Sequence, residues 1–361
     1  MIAQYKPVYE KEERDAIKAI ADTDSWFAEF TETEAFEKEI AKTAETVYCS
    51  AVNNGTIAIS LALLAQGIKP GDEVIVPTLT MIATATAVSL IGAKPVFADV
   101  GYDTLCLSYD SVRQIISNTP NIKGLVYVTL NGRFNVVEYK QIQDLCYRKN
   151  IKIIKDDAQS FGSRSSEGKS LQDSSYGEYH TLSFSPHKII SCGQGGAILT
   201  YAGPLHDAIE ELKDFGRLSG GVDKHPKFGI NSKFTEIQAT FGLAQLKKIE
   251  QKKKKKIEIY ESYYSKLKDL NIMIQLKLNQ VPWFMDVYVQ NRRELIDFLK
   301  ANGIQTRPMY PCIHQEFYDT KQFLPTAELL SQSGLWLPSS FDLTHEEITY
   351  ICNKIKEFHQ K

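Results

Sequence analysis

Short apolar runs alternate with segments of helical length between residues 47 and 200, and this alternation constrains the fold more than any other feature of the sequence. Several runs are continuously apolar, which is typical of strands that helices cover on both faces of a mostly parallel sheet. The pattern therefore predicts an α/β fold with a three-layer domain. The predicted strands are residues 74–76, 95–100, 124–129, 151–154, 181–184 and 197–200, and the predicted helices between them are residues 56–65, 80–91 and 139–149.

Helical segments precede this alternation, one long helix follows it, and a strand with two helices closes the chain. The long helix, residues 236–270, carries a lysine run formed by Lys247, Lys248 and Lys252–Lys256, and a solvated helix face explains such a run better than an anion site. We therefore predict two domains: residues 1–245 form an N-terminal segment and a large domain, and residues 246–361 form a linking helix and a smaller α+β domain. The predicted segments outside the alternation are residues 10–21, 32–43, 236–270, 285–289, 292–301 and 346–358.

The composition excludes several classes of protein. The chain has 361 residues, 43% of them hydrophobic, and its net charge of −2 gives no reason to expect nucleic acid or an anionic membrane as a partner. No apolar run approaches the roughly 20 residues of a membrane span, and residues 1–15 are too polar for a signal peptide. The six cysteines are far apart and form no C-x-x-C pair, so we expect reduced thiols in the cytoplasm and neither a disulfide framework nor a metal site.

Lys188 lies where a lysine is not needed for solubility. It stands between two predicted strands and precedes a bend that contains Gly193, Gly195 and Gly196. These glycines let backbone or a flat ligand approach closely. A lysine held among apolar segments tends to lose its proton and then becomes a nucleophile toward aldehydes. A surface lysine on a hairpin is the competing interpretation, and this stretch alone does not decide between the two.

Two other stretches place candidate ligand-binding residues at one end of an apolar helix or strand. Gly55 and Thr56 begin an apolar helix, where unpaired N–H groups and a partial positive charge suit a phosphate, although a helix cap explains them equally well. Asp156 and Asp157 follow a predicted strand, where acids commonly face the ligand crevice, although a capping or turn aspartate is at least as common. The chain has no G-x-G-x-x-G and no P-loop motif, which argues against a dinucleotide or ATP site.

The three stretches together describe one cofactor. An electron sink built on a pyridinium ring needs a lysine for its aldehyde, an acid for its ring nitrogen and a helix N-terminus for its phosphate. Lys188, the aspartate pair and the turn at Gly55 and Thr56 supply these three groups. The sequence therefore indicates pyridoxal 5′-phosphate as the cofactor.

The chain resembles the sugar-nucleotide aminotransferases of the DegT/StrS class, which share the aspartate aminotransferase fold. The resemblance covers nearly the whole length, with the motifs in a specific order and spacing. It implies a large pyridoxal-phosphate-binding domain of fold type I and a smaller C-terminal α+β domain. The motifs that carry it are NNGTIAISLALLAQGIKPGDEVIVPTLTMIATATAV, KPVFADV, KDDAQSFG, SFSPHK, GQGGAI, GINSKFTEIQATFGLAQL, IQTRPMYP and LWLPSS.

The resemblance implies a role for each matching residue near the cofactor ring. Lys188 would bond to the cofactor's aldehyde and afterwards move a proton between the cofactor and the substrate carbon. Asp156 rather than Asp157 would pair with the pyridinium nitrogen, because it lies three residues before Gln159, which would lie near the ring hydroxyl. In the family's deoxygenating branch a histidine replaces the lysine. The sixth position of SFSPHK is Lys188 and not His187, which favours transamination.

The phosphate side of the cofactor follows from the same resemblance, which implies a homodimer with shared sites. Met81 stands where the family usually has an aromatic residue over the cofactor ring, and a thioether can still pack there through a contact of about 0.3–1.5 kcal/mol. Lys233 stands where many members have arginine, and a lysine lacks the bidentate fork that grips a phosphate or carboxylate. The residues expected to hold the phosphate are Gly55, Thr56, Ser183 and, from the partner subunit, Asn231.

The implied reaction moves the amino group of L-glutamate, which leaves 2-oxoglutarate, to a keto-sugar attached to a nucleoside diphosphate. The stretch GINSKFTEIQATFGLAQL looks closest to the group that aminates C-4 of a 4-keto-6-deoxyhexose and gives perosamine- or viosamine-type sugars. The alternatives are a C-3 keto-sugar aminotransferase and a non-catalytic binding or regulatory protein on the same fold. Tyr310, His314 and Lys247 are candidates for the sugar pocket from their positions alone. The sequence does not identify the nucleotide.

Overall fold

The structure is a computed structural model that describes residues 1–24, 26–217 and 222–360. Within these ranges none of the helices has the length and the apolar character that crossing a bilayer requires. The helices are α1 (Lys11–Ala21), α2 (Thr31–Ala44), α3 (Gly55–Ala65), α4 (Ala83–Leu90), α5 (Tyr109–Asn118), α6 (Val136–Arg148), α7 (Gly203–Lys213), α8 (Glu236–Leu246), α9 (Ile249–Leu267), α10 (Arg292–Ala301), α11 (Pro325–Ser333) and α12 (His345–His359). The strands are β1 (Tyr48–Val52), β2 (Glu73–Pro77), β3 (Lys94–Ala98), β4 (Ile122–Val128), β5 (Lys152–Asp156), β6 (Tyr179–Ser183), β7 (Gly196–Thr200), β8 (Met285–Tyr288), β9 (Arg307–Pro308) and β10 (Gly334–Leu337).

The central sheet contains the strands β1 to β7 in the order β1-β7-β6-β5-β4-β2-β3. The strands from β6 to β3 are parallel to one another, whereas β7 is antiparallel to both β1 and β6. The prediction of a mostly parallel sheet is therefore confirmed, and each predicted strand overlaps one of β2 to β7. Because parallel strands end at the same edge of a sheet, the residues that follow β4, β5 and β6 lie near one another.

Alternate residues of the central strands pack on opposite faces of the sheet, as the pleat of a strand requires. Val74 and Val76 of β2 belong to one core cluster, which also contains Leu61 of α3. Ile75, between them, belongs to another cluster, which contains Ile142 of α6. Helices therefore cover both faces of the sheet, and the predicted three-layer architecture is confirmed.

A second, antiparallel sheet joins β8, β10 and β9. It shares a core with α9, α10 and α12, to which Ile259, Leu295 and Ile351 contribute. A buried ion pair between Arg133 and Asp286, 3.0 Å apart, connects this sheet to the segment after β4. The domain boundary between residues 245 and 246 stays a prediction.

The chain bends between α8 and α9, so the prediction of one helix over residues 236–270 is wrong. Lys248 has φ −103° and ψ 6°, outside helical values. Its Nζ atom binds the carboxylates of Glu10 and Glu12 at 2.5 and 3.0 Å, which holds the bend against the start of α1. The lysine run is not uniformly solvated either, because Lys256 is only 2% exposed.

Candidate active site

A cavity of about 670 Å³ opens at the edge of the central sheet where β4, β5 and β6 end. Its wall contains every predicted cofactor-site residue except Asn231, so the fold brings together residues that are far apart in the sequence. Residues after position 280 form the other side of the cavity. The residues of interest in its wall are Gly55, Thr56, Met81, Asp156, Gln159, Ser183, Lys188, Trp283, Arg307 and Tyr310.

Lys188 lies in the turn after β6, where its backbone N–H donates to the carbonyl of Ser185 at 3.0 Å. Its Nζ atom is 4.6 Å from the centre of the Trp283 ring, within the range of a cation–π contact. Burial lowers the pKa of Lys188 to about 8, although the carboxylate of Asp156 opposes this change. Near that pH much of the side chain is a neutral amine, which is the form that attacks an aldehyde.

Asp156 ends β5, and its carboxylate borders the cavity. The hydroxyl of Thr84 donates to Oδ2 at 3.0 Å, and the backbone N–H of Ala158 donates to Oδ1 at 3.1 Å. Burial raises the pKa of Asp156 because it disfavours the charged form, while these hydrogen bonds and Lys188 favour ionisation. A carboxylate oriented in this way can accept a hydrogen bond from a protonated ring nitrogen.

Asp157 follows immediately but does not line the cavity. Its carboxylate binds His180 Nδ1 and the hydroxyl of Thr129, both at 2.9 Å, and lies 3.5 Å from Lys155 Nζ. Burial disfavours its ionisation, but Lys155 and His180 overcome this and hold the pKa of Asp157 at about 2. The two adjacent acids therefore have different surroundings, and only Asp156 reaches the cavity.

The N-terminus of α3 contacts the end of β6. The side chain of Asn54 caps the helix, because its Oδ1 accepts from the backbone N–H of Ile57 at 3.0 Å. A Cβ atom on Gly55 would lie 2.9 Å from the Cβ of Ser183, so the close approach of the two elements depends on the glycine. Thr56 and Ser183 line the cavity beside the first N–H groups of the helix. A phosphate suits such a position.

Gln159, Met81 and Asn231 complete the predicted set. Gln159 is fixed at both ends of its amide: Oε1 accepts from the backbone N–H of Asn131 at 2.7 Å, and Nε2 donates to the hydroxyl of Tyr310 at 3.3 Å. Met81 lines the cavity and is 45% exposed. Asn231 is exposed and does not line the cavity of its own chain, so contact with a cofactor would require a second subunit.

Trp283 and Arg307 line the cavity although sequence reasoning did not select them. Trp283 covers Lys188, and its indole N–H donates to the carbonyl of His187 at 2.8 Å. Trp283 lies in a loop without a motif. Arg307 lies in IQTRPMYP, one of the motifs that carry the family resemblance, and this motif is the sequence feature that could have pointed to it.

Only one of the three residues suggested for the sugar pocket lines the cavity, and it is Tyr310. His314 is fully buried and its Nδ1 is 2.7 Å from the hydroxyl of Thr78, so the prediction for His314 is wrong. Lys247 is exposed at the bend between α8 and α9 and lies outside the cavity of its own chain. The prediction from position therefore fails for His314, which packs in the interior, and the cavity of this chain does not support it for Lys247.

The comparisons with known proteins agree with this geometry. A family model described as the DegT/DnrJ/EryC1/StrS aminotransferase family matches residues 7–356. The GDP-perosamine synthase of Escherichia coli O157:H7 is 33% identical over 99% of this chain and 98% of that protein, and that of Vibrio cholerae is 30% identical over 99% of both. The structure of S. venezuelae DesV in complex with a ketimine intermediate has a TM-score of 0.89 and 29% identity, over 97% of this chain and 95% of that chain.

The fold and the site together define a pyridoxal-phosphate-dependent aminotransferase. The chain belongs to the DegT/DnrJ/EryC1/StrS aminotransferase family, and its fold is that of aspartate aminotransferase. The predictions of family, fold class and cofactor are thereby confirmed. Pyridoxal 5′-phosphate fits the residues present, because the cavity offers an amine with a lowered pKa, a buried carboxylate and a helix N-terminus that Gly55 allows to approach Ser183 closely.

Proposed function

We propose that this enzyme transfers the amino group of L-glutamate to a GDP-linked 4-keto-6-deoxyhexose and forms a perosamine-type 4-amino-4,6-dideoxy sugar. The observation that carries the proposal is likeness over the full length. The relatives from E. coli O157:H7, V. cholerae and Caulobacter vibrioides, all named GDP-perosamine synthase, are 30–33% identical to this chain, which covers at least 94% of each. A lysine at position 188 supports transamination over deoxygenation.

Each residue at the base of the cavity has a chemical task in this proposal. When bound, pyridoxal phosphate supplies an electron sink for the C–H bond that is broken. Lys188 takes the proton from the amino-bearing carbon as a base and returns it as an acid. Thr84 and the N–H of Ala158 orient the carboxylate of Asp156, which as the ionised form would accept a hydrogen bond from the ring nitrogen and keep it protonated. Thr56, together with Gly55 and Ser183, would hold the phosphate at the start of α3.

The other wall of the cavity is suited to the sugar nucleotide and to glutamate. Arg307 is an exposed cation at this wall, and guanidinium groups bind phosphates and carboxylates in bidentate fashion. Tyr310 offers a hydroxyl that Gln159 already orients. Trp283 packs against the amine of Lys188 and reduces its contact with water on that side.

The test is an incubation of the purified enzyme with L-glutamate and a panel of GDP-, UDP- and dTDP-linked 4-keto and 3-keto sugars, followed by mass spectrometry. We expect an amino sugar from the GDP-linked 4-keto-6-deoxyhexose, with 2-oxoglutarate formed in equal amount. Product from a 3-keto sugar alone would favour C-3 amination, for which a 30% identical relative named UDP-2-acetamido-2-deoxy-3-oxo-D-glucuronate aminotransferase is the precedent. Deoxysugar with released ammonia would contradict transamination.

The role of Lys188 has its own test. Borohydride should fix the cofactor covalently on the Lys188 peptide of the wild-type enzyme, and Lys188→Ala should bind cofactor without fixation and without amine transfer. Fixation on another lysine, or activity in Lys188→Ala, would contradict the assignment.

We also propose a homodimer in which Asn231 contacts the phosphate in the partner's cavity. Asn231 is exposed, and the segment that carries it passes beside Trp26 and Phe30, which are 75% and 56% exposed. The bridge between Ala28 and Thr235 places these aromatic residues next to that segment. Large exposed apolar side chains close together are typical of an interface.

Mixed dimers test this arrangement. Lys188→Ala and Asn231→Ala should each be inactive, and after subunit exchange of equal amounts about one quarter of the sites should be intact and active. No recovery in a mixture shown to contain mixed dimers would contradict a shared site. We propose the cytoplasm as the location, which the six buried free cysteines support.

A further inference from the structure

Lys256 is a buried lysine of α9 that forms no ion pair with a carboxylate in the described part of the chain. Its Nζ atom donates to the carbonyl oxygens of Trp283 at 2.9 Å and Ser339 at 2.7 Å. Burial, together with the charge of Lys252, lowers its pKa to about 7. Burying an amine is costly unless it is hydrogen-bonded, so these two carbonyl contacts determine where the side chain can lie.

Trp283 connects this lysine to the active site. Its carbonyl accepts from Lys256, its indole N–H donates to the carbonyl of His187, and its ring lies 4.6 Å from Lys188 Nζ. The ring also stacks on Phe284 with a centroid distance of 3.8 Å. Trp283 is therefore held at its backbone by Lys256 and at its indole nitrogen by the residue that precedes Lys188.

Lys188 and Lys256 also line a common internal cavity of about 20 Å³, with Trp283 in its wall. A cavity of this size has room for about one water molecule. Trp283 thus borders both lysines on the side of this small cavity, and a movement of its ring would expose Lys188 to more solvent than it meets at the large cavity.

We propose that Lys256 is a positioning residue for Lys188: it fixes the backbone of Trp283, and the indole of Trp283 keeps the Lys188 amine partly desolvated and therefore nucleophilic. The inference rests on the role proposed above for Lys188. Direct repulsion between the two lysines is not the route, because burial lowers the pKa of Lys188 against the opposing charge of Asp156, and the charge of Lys256 does not contribute.

The test measures the Lys188 amine itself in the full-length apoenzyme. A short aldehyde with cyanoborohydride labels amines, and peptide mass spectrometry gives the labelling rate of Lys188 as a function of pH. In the wild-type protein the rate should rise with a midpoint near pH 8, the pKa of Lys188. In Lys256→Met the midpoint should move toward the ordinary lysine value, so that labelling at neutral pH slows by at least about tenfold.

Matched variants show whether the effect passes through Trp283. Lys254→Met, on the exposed side of the same helix, should leave the profile unchanged. Trp283→Ala should shift the midpoint as Lys256→Met does, and the double variant should add nothing further, because both changes interrupt one path. Lys256→Arg keeps the donors and should restore most of the wild-type profile.

Two results would overturn the proposal, and both can be distinguished from a failure of the variant to fold. A folded Lys256→Met protein with an unchanged Lys188 profile would overturn the proposal, and so would fully additive shifts in the double variant. Thermal unfolding of each variant identifies folded material, and Lys256→Gln replaces Lys256→Met in the comparison should the latter not fold. Because neither cofactor nor sugar nucleotide is present, the result does not depend on whether the proposed transamination is correct.

Discussion

Asp156 and Asp157 are consecutive residues whose carboxylates belong to separate hydrogen-bond networks. Asp156 accepts from Thr84 at the cavity, and Asp157 binds His180 in the interior at 2.9 Å. Successive residues at the end of a strand point to opposite sides, which accounts for the separation. The same Asp→Asn substitution at the two positions should therefore have different consequences.

Asp156→Asn should reduce activity far more than stability. The amide keeps the shape of the side chain but cannot hold a proton on the cofactor's ring nitrogen, so we expect kcat at saturating cofactor to fall by at least about 100-fold. The midpoint of thermal unfolding should move by only a few degrees. A near-wild-type kcat in this variant would contradict the role assigned to Asp156.

Asp157→Asn should instead destabilise the fold. The substitution leaves the buried Lys155 without its carboxylate, and removing one partner of a buried pair costs about 3–5 kcal/mol in free energy of unfolding. Urea unfolding at neutral pH measures this loss. Wild-type stability in the folded variant would show that Lys155 is neutral in the interior.

The acid sensitivity of the protein should also depend on Asp157. Its folded pKa, about 2, is lower than the ordinary value of 3.8, so the folded state binds this proton less readily than the unfolded state. The stabilisation it supplies is present above about pH 4 and is lost as the pH falls toward 2. Urea unfolding over this range should show a shallower loss of stability in Asp157→Asn than in the wild type, and parallel curves would contradict the assignment.

Gly55→Ala should weaken cofactor binding. The new Cβ would meet the Ser183 Cβ at 2.9 Å, so either the start of α3 or the end of β6 must move, and both border the proposed phosphate position. We expect the Kd of the apoenzyme for pyridoxal phosphate to rise by at least about tenfold, measured by absorbance titration. Gln66→Ala, at the other end of α3, is the matched control and should leave the Kd unchanged.

Met81→Ala should weaken cofactor binding less than Gly55→Ala does. A sulfur–aromatic contact contributes about 0.3–1.5 kcal/mol, so the Kd for the cofactor should rise by about twofold to about tenfold. Met81→Tyr supplies a full ring at the same place and should lower the Kd instead. Equal affinities in all three proteins would show that Met81 does not pack on the ring.

The cofactor-binding residues are predictable from the sequence because their positions depend on the secondary-structure elements that flank them in the chain. Lys188, Asp156 and Gly55 each stand next to a strand or at the start of a helix whose apolar pattern is visible in the chain. Trp283 lies in a loop, and its contact with Lys188 results from the packing of the later segment against the first sheet. The bend at Lys248 likewise depends on carboxylates more than two hundred residues away.

The two walls of the cavity come from different stretches of the polypeptide. The amine, the acid and the helix terminus precede residue 189, whereas Trp283, Arg307 and Tyr310 come from the later stretch that also forms the second sheet. The later stretch therefore contributes both to the amine chemistry and to the choice of acceptor, because Trp283 contacts the Lys188 amine whereas the side chain of Arg307 is exposed at the wall. A library that varies positions 307 and 310 alone is the economical starting point for redirecting this enzyme to other sugars.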